Sequence, residues 1–282
     1  MAGVRFVKGH GTQNDFVLLP DELGELELTD NRVRALCDRR SGLGADGVLR
    51  VVRSGAMPAG TAGRTDTAEW FMDYRNADGS LAEMCGNGVR VFAAYLVSVG
   101  LAEGGQFSVG TRAGDRAVTV HRDTSVTVAM GPARIGVQST ALLGGTEFPG
   151  ILVDVGNPHL VCVTERPIDE LDLREAPGYD PVLFPHGVNI EFVTLLAEDK
   201  IRMRVFERGV GETRSCGTGT VAAAVVALSR RSNCVAAEGC ATVEIPGGLV
   251  TVHAGAHGTT LRGPAQLVAE GELTTRWWEA QR

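Results

Sequence analysis

The chain has no run of about 20 apolar residues, the length a membrane-crossing helix needs, and its strongly apolar stretch Val221 to Leu228 is only eight long. It begins without the basic and then apolar segment of a secretory signal. A soluble, cytoplasmic protein with no membrane partner is the expectation. Basic charge is also scarce: 27 Lys and Arg face 34 Asp and Glu, a formal net charge of −7, and nothing in that balance supports nucleic-acid binding. The six cysteines contain no Cys-x-x-Cys pair and no His-rich companion cluster, so no metal site is expected. In a reducing compartment they are thiols. Cys37, Cys162, Cys234 and Cys240 read as small buried hydrophobes.

Against these absences one feature stands out. Met84-Cys85-Gly86-Asn87-Gly88-Val89 and Ser215-Cys216-Gly217-Thr218-Gly219-Thr220 place the same Cys-Gly-x-Gly signature in each half of a 282-residue chain, a length that itself favours two domains. Apolar runs follow both, Val89 to Val99 and Val221 to Leu228, so each thiol is expected where a loop enters a helix. A helix N-terminus favours thiolate over thiol, and its outward N–H groups suit an anion such as a carboxylate.

The rest of the pattern repeats as well. Val4 to Lys8 and Val17 to Leu19 read as strands joined by a polar turn, and Thr29-Asp30-Asn31 caps a helix through Val33, Leu36 and Cys37 that ends near Ser41 to Gly44. Val48 to Val52 and Trp70 to Arg75 are strands, with an exposed, mobile loop between them at Ser54 to Ala68. Strands at Gln106 to Val109 and Ala117 to His121 follow the first thiol helix. The second half reads strand, turn at Gly156 to His159, strand, a short helix around Ile168 to Glu175, strands at Val188 to Val193 and Ile201 to Phe206, then the second thiol helix. A helix apolar on most sides must be wrapped. The expected fold is therefore α+β, with a mixed or antiparallel sheet curled like a barrel around a central helix, twice over.

Two matched thiols fit poorly with most cysteine chemistry. A nucleophile needs one thiol and one activating base, and a disulfide needs an oxidising compartment. Inverting a stereocentre that bears an acidic hydrogen needs both: one group takes the proton from one face and the other returns a proton to the opposite face. An ordinary thiol is roughly 3% ionised at pH 7, and bringing its pKa to about 7 takes about 2 kcal/mol, which a helix N-terminus and a polar partner could supply. The N–H groups of Gly86, Asn87, Gly217 and Thr218 would hold the carboxylate beside the carbanion.

Seven ordered segments carry a family resemblance that spans the chain: Gly11-Thr12-Gln13-Asn14-Asp15-Phe16, Asn76-Ala77-Asp78-Gly79-Ser80, Cys85-Gly86-Asn87-Gly88, Gly156-Asn157-Pro158-His159, Asn189, Glu207-Arg208-Gly209 with Gly211-Glu212-Thr213, and Cys216-Gly217-Thr218-Gly219. The sequence resembles the pyridoxal-phosphate-independent diaminopimelate epimerases. The resemblance implies two pseudo-symmetric domains, here residues 1–129 with 266–282 returning, and 130–265. It also implies a reaction without cofactor on L,L- and meso-diaminopimelate, and a homodimer. Cys85 and Cys216 would be the catalytic pair, His159 and Glu207 would tune their protonation, and Asn14, Asn76, Asn157, Asn189, Glu207 and Arg208 would bind the amino-acid ends. Residue by residue, blander readings stay open: His159 serves equally to brace a turn, Arg208 beside Glu207 reads as a surface pair, and Asn in turns is often structural.

The sequence departs from the family where Gly47 replaces a frequent Gln and where the loop of residues 54–68 is long. Two rivals remain. A proline or hydroxyproline racemase shares the two thiols but tends to carry His at the position of Asn87. A silent amino-acid-binding protein needs the glycine N–H groups but neither thiol.

Overall fold

Val4–Gly11 (β1) and Asn14–Pro20 (β2) form a hairpin because Thr12 and Gln13 both take positive φ, 50° and 64°, the two-residue turn whose twist matches paired strands. A β-branched residue is strained there. Thr12 is held by the Arg90 guanidinium, which donates to its Oγ1 at 3.0 Å. The computed structural model describes residues 3–232 and 238–282, and Cys234 lies outside the described residues.

The remaining elements, in chain order, begin with α1 (Asp30–Cys37), β3 (Gly47–Arg53), β4 (Trp70–Asn76), α2 (Gly86–Ser98), β5 (Gly105–Gly110), β6 (Arg116–Val120) and β7 (Val126–Gly131). There follow β8 (Arg134–Leu143), β9 (Thr146–Asp154), β10 (Pro158–Val163), β11 (Asn189–Ala197), β12 (Lys200–Glu207) and β13 (Gly211–Thr213). The chain closes with α3 (Gly217–Ser232), β14 (Gly239–Ile245), β15 (Gly248–Gly255), β16 (Gly258–Gly263), β17 (Gln266–Leu273) and α4 (Thr275–Glu279). No helix among the described residues is long and apolar enough to cross a membrane.

Contacts divide the chain into two compact units, one running to Val128 and taking up Pro264–Arg282, the other spanning Ala129–Gly263. In the first, the strands are ordered β17-β1-β2-β3-β4-β5-β6-β7, all neighbours antiparallel except β2–β3 and β4–β5. In the second the order is β8-β9-β10-β11-β12-β14-β15-β16, again antiparallel except at the same two steps, β10–β11 and β12–β14. The parallel steps are forced by crossovers, and the second crossover in each unit is the thiol helix. Helix α2 packs against β1, β2, β3, β4, β6 and β17, and α3 against β9, β10, β11, β12, β14, β15 and β16. A helix touched on so many sides must bury most of its side chains: Val89, Phe92, Ala93, Tyr95 and Leu96 are buried, as is every residue from Val221 to Leu228. The expected α+β architecture, a sheet curled around a central helix and repeated, is the one observed.

Four local expectations change. Helix α1 stops at Cys37, because the Asp38 carboxylate accepts from the backbone N–H groups of Arg40 and Ser41 and turns the chain. The helix expected at Ile168 to Glu175 is a single 3₁₀ turn, Ile168–Glu170. Arg204 takes the carbonyls of Ile168 and Leu171, and Asp172 turns the backbone at Arg174, so no helical ladder is needed to satisfy them. The segment Ser54 to Ala68 is exposed over much of its length but pinned: Ser54, Met57 and Ala68 are buried, and Thr65 donates to Asp115 at 2.7 Å. Cys240 is exposed rather than buried, because Ala241 takes the inward position in β14.

Candidate active site

Both cysteines are the first residues outside their helices. Cys85 is the N-cap of α2: its backbone carbonyl accepts from Val89 at 2.8 Å and its sulfur accepts from the Gly88 N–H at 3.5 Å. Cys216 repeats this at α3, where its carbonyl accepts from Thr220 at 2.9 Å and its sulfur from the Gly219 N–H. Sulfur here stands where Ser or Asp usually caps, so each thiolate would meet the positive end of a helix.

Around Cys85 the first unit assembles a polar cluster. The thiol donates to Asn14 Oδ1 at 3.5 Å, and the Asn87 amide donates to the same oxygen at 3.2 Å. Asn14 is aimed by Asp46, whose carboxylate accepts from its Nδ2 at 2.7 Å. Asp46 is in turn gripped by Arg39, which also pairs with Asp15. Arg90, fully buried, binds Asn87 Oδ1, Thr12 and the Pro264 carbonyl, and its charge lies within reach of Cys85. Asn76 ends β4 opposite Gly47 and donates to Ser80 Oγ at 3.0 Å, closing the turn there. At Gly47 a side chain has no room, since a Cβ would lie 2.6 Å from the Arg75 carbonyl and 2.7 Å from the Tyr74 ring. A Gln side chain has no place on this backbone.

The second unit surrounds Cys216 with acid. Glu207, half-buried at the end of β12, accepts from Thr213 Oγ1 and from the Cys216 thiol. Burial pushes its carboxyl up, and Glu191 adds to that. Thr218 Oγ1 lies 3.6 Å from the Cys216 sulfur. Burial first, then the carboxylates of Glu207 and Glu191, push the Cys216 thiol well above its ordinary range. His159 is fully buried, with Nδ1 2.6 Å from Glu191 Oε1 and Nε2 3.1 Å from Asn157 Oδ1. Asn189 accepts the Arg208 backbone N–H at 2.9 Å, and the exposed Arg208 side chain donates to the His186 carbonyl at 3.0 Å.

Of the residues singled out by sequence, the structure groups Asn14, Cys85 and Asn87 in one unit, with Gly86 opening the helix beside them. It groups Glu207, Cys216 and Thr218, and separately Asn157 with His159, in the other. Three participants were not singled out: Asp46, Arg90 and Glu191. Among the described residues no cluster of His, Cys, Asp and Glu could hold a metal.

Comparison with known proteins bears on the family and the fold. The diaminopimelate epimerase family matches residues 6–136 and 151–268. A diaminopimelate epimerase of Rhodococcus opacus (strain B4) is 55% identical over 286 residues, covering 97% of this chain and 98% of its own. Among solved structures, a phenazine biosynthesis protein of the PhzF family from Bacillus anthracis aligns with TM-score 0.69 at 15% identity, over 97% of this chain and 100% of that one. A hydroxyproline epimerase from Agrobacterium vitis, with trans-4-hydroxy-L-proline bound, aligns with TM-score 0.65 at 14% identity, over 96% and 92%. At such identities these two share the fold alone, whereas the sequence match extends through both thiol segments and places this chain in the diaminopimelate epimerase family.

Proposed function

We propose that the protein interconverts L,L- and meso-diaminopimelate without pyridoxal phosphate, serving lysine and peptidoglycan-precursor biosynthesis. The observation that carries the reading is the duplicated cysteine N-cap, which supplies two acid/base groups of one kind in two units of one topology. In each direction one thiolate removes the α-proton and the other thiol delivers its proton to the opposite face of the carbanion. The roles exchange for the reverse reaction. Neutral thiol and thiolate must therefore coexist in the resting enzyme.

Each unit prepares its sulfur differently. Cys216 is held as a thiol by burial and two carboxylates, and Glu207, whose own carboxyl is raised, is placed to accept its proton when it must act as base. Cys85 has the amide oxygen of Asn14 and the Gly88 N–H as partners, with the Arg90 charge behind them. The N–H groups of Gly86, Asn87, Gly217 and Thr218 bind the carboxylate adjacent to the carbanion, where developing charge is greatest. Asn14, Asn76, Asn157, Asn189, Glu207 and Arg208 hold the amino and carboxyl groups, Arg208 by its planar fork. The protein acts in the cytoplasm as a homodimer.

Reduced protein incubated with L,L-diaminopimelate alone should yield meso product by chiral chromatography, with proline untouched in a parallel reaction. Absence of meso product would overturn the reading, and racemised proline would move the substrate class to cyclic amino acids.

A further inference from the structure

The two units repeat one topology, so strand register gives each residue of one a counterpart in the other. The parallel ladder of the first unit starts with Phe16 opposite Gly47, which puts Leu49 two residues along β3. That of the second starts with His159 opposite Asn189, which puts Glu191 two residues along β11. The thiol helices confirm the match. A Cβ added at Gly88 would meet Leu49 at 3.4 Å and Phe16 at 3.5 Å, and one added at Gly219 would meet Glu191 Oε1 at 2.5 Å. The buried apolar pair Phe16 and Leu49 behind Cys85 is thus replaced by the buried pair His159 and Glu191 behind Cys216, all four residues 0% exposed.

The fold does not need that exchange. The first unit builds the same ladder around Phe and Leu, and hydrophobic residues of similar volume generally serve stability at least as well as a buried ion pair. Glu191 is also held by little: Oε1 takes the His159 contact, and Oε2 is buried with no hydrogen-bond partner among the described residues. A carboxylate kept in that state is kept for what it does to the imidazole.

We propose that Glu191 is a positioning residue of the epimerisation, holding the Nδ1 proton of His159 so that Nε2 alone exchanges a proton, with solvent, on the side of the half-buried Asn157. With Nδ1 donating to Oε1, Nε2 donates to Asn157 Oδ1 as imidazolium, or accepts from the Asn157 amide as neutral imidazole after that amide turns over. The Nδ1 contact with Glu191 keeps the ring in one orientation in either case. The groups that share this field are Glu207, Cys216 and Cys162, the last a buried thiol pushed up to about 12 by burial and then by Glu191. The proposal rests on the epimerase reading above.

The test combines ¹⁵N imidazole NMR with kinetics on the full chain. The resting protein should show a protonated, exchange-protected Nδ1 on His159, and Glu191→Leu, which installs the residue of the first unit, should abolish it. In that variant kcat should fall about 10–100-fold, the loss that removing the carboxylate partner of a metal-bound histidine produces, with KM changed less than about threefold. Glu191→Gln retains the acceptor without the charge, so it should recover part of kcat with the pH profile displaced. Wild-type kcat and pH profile in Glu191→Gln would overturn the proposal even if Glu191→Leu failed to fold, and so would an unprotonated Nδ1 in the wild type. A wild-type protein inert towards diaminopimelate would overturn the epimerase reading and the kinetic part of the proposal. The Nδ1 signal needs no turnover, and in that event it would still decide the pairing on its own.

Discussion

Replacing Gly219 with alanine isolates the contact that distinguishes the second thiol helix from the first. The added methyl would sit 2.5 Å from Glu191 Oε1 and 3.3 Å from the Cys216 sulfur. A methyl carbon keeps about 3.5 Å from non-bonded neighbours, so the carboxylate must retreat by about 1 Å. That carries it out of hydrogen-bond range of His159, now 2.6 Å away. Loss of a hydrogen bond to a charged group removes about 1.5–3 kcal/mol, while Gly to Ala inside a helix returns about 0.5–1 kcal/mol. The net is a destabilisation of about 0.5–2.5 kcal/mol, or a Tm lower by about 1–10 °C at about 2–4 °C per kcal/mol. Gly88→Ala is the internal control for stability, because its nearest neighbours lie at 3.4 to 3.5 Å, ordinary contact distance. It should melt at or slightly above the wild type. Thermal unfolding followed by circular dichroism on both variants makes the comparison, and Gly219→Ala melting as high as Gly88→Ala would mean that the Glu191–His159 contact survives the added methyl or contributes nothing to stability.

Glu207→Gln should lower kcat by about 10²–10³-fold. Yet it should speed alkylation of Cys216 by iodoacetamide at pH 7, because a negative charge that pushes the thiol up is gone. Peptide mass spectrometry reads the rate, and slower alkylation would contradict the assigned electrostatics. Cys85→Ser and Cys216→Ser should each lose most turnover, since an alcohol is a far weaker acid than a thiol, and normal turnover in either variant would remove that residue from the mechanism. Asp73, 1% exposed, is met by Arg112 at 2.6 Å, Arg75 at 3.2 Å and Arg50 at 3.6 Å. Burial, the largest influence, pushes its carboxyl up, but the three guanidinium groups outweigh it and hold it below the usual range. A depressed carboxyl stabilises fully above its unfolded pKa and loses that contribution as pH falls through the folded value. Asp73→Asn should therefore cost about 3–5 kcal/mol at pH 7 and progressively less in acid, and a cost independent of pH between 7 and 2 would contradict the assignment.

Much of the candidate site was legible because it lies in short segments with unusual local chemistry. The two Cys-Gly-x-Gly stretches, the Asn14 turn and the Glu207-Arg208-Gly209 turn each announce themselves by residues that loops and helix starts require. The wrapped helices were legible too, since an apolar face on all sides admits few alternatives. What escaped notice were charges hidden inside regular structure. Glu191 occupies a strand position that alternation permits to face outward, and only packing reveals that the first five residues of β11 are all buried. Arg90 interrupts an apolar helix and looks like a surface residue until Thr12, Asn87 and Pro264 are seen to satisfy it. Asp46 acts through Asn14, 32 positions away, and no local pattern encodes that distance. The stretch from Ile168 to Glu175 failed in the opposite direction, where helical propensity lost to Arg204 capturing its carbonyls.

In the proposed reaction two thiols act on opposite faces of one carbon. Conversion of L,L-diaminopimelate in D₂O, stopped within the first few per cent of reaction, distinguishes two bases from one. NMR and mass spectrometry then give the isotope at Cα in recovered substrate and in product separately. The two-base account predicts meso product carrying deuterium at the inverted centre while recovered substrate retains protium, because the proton that leaves and the one that returns sit on different sulfurs. Product that keeps the substrate's own proton would contradict it and require a single base on both faces.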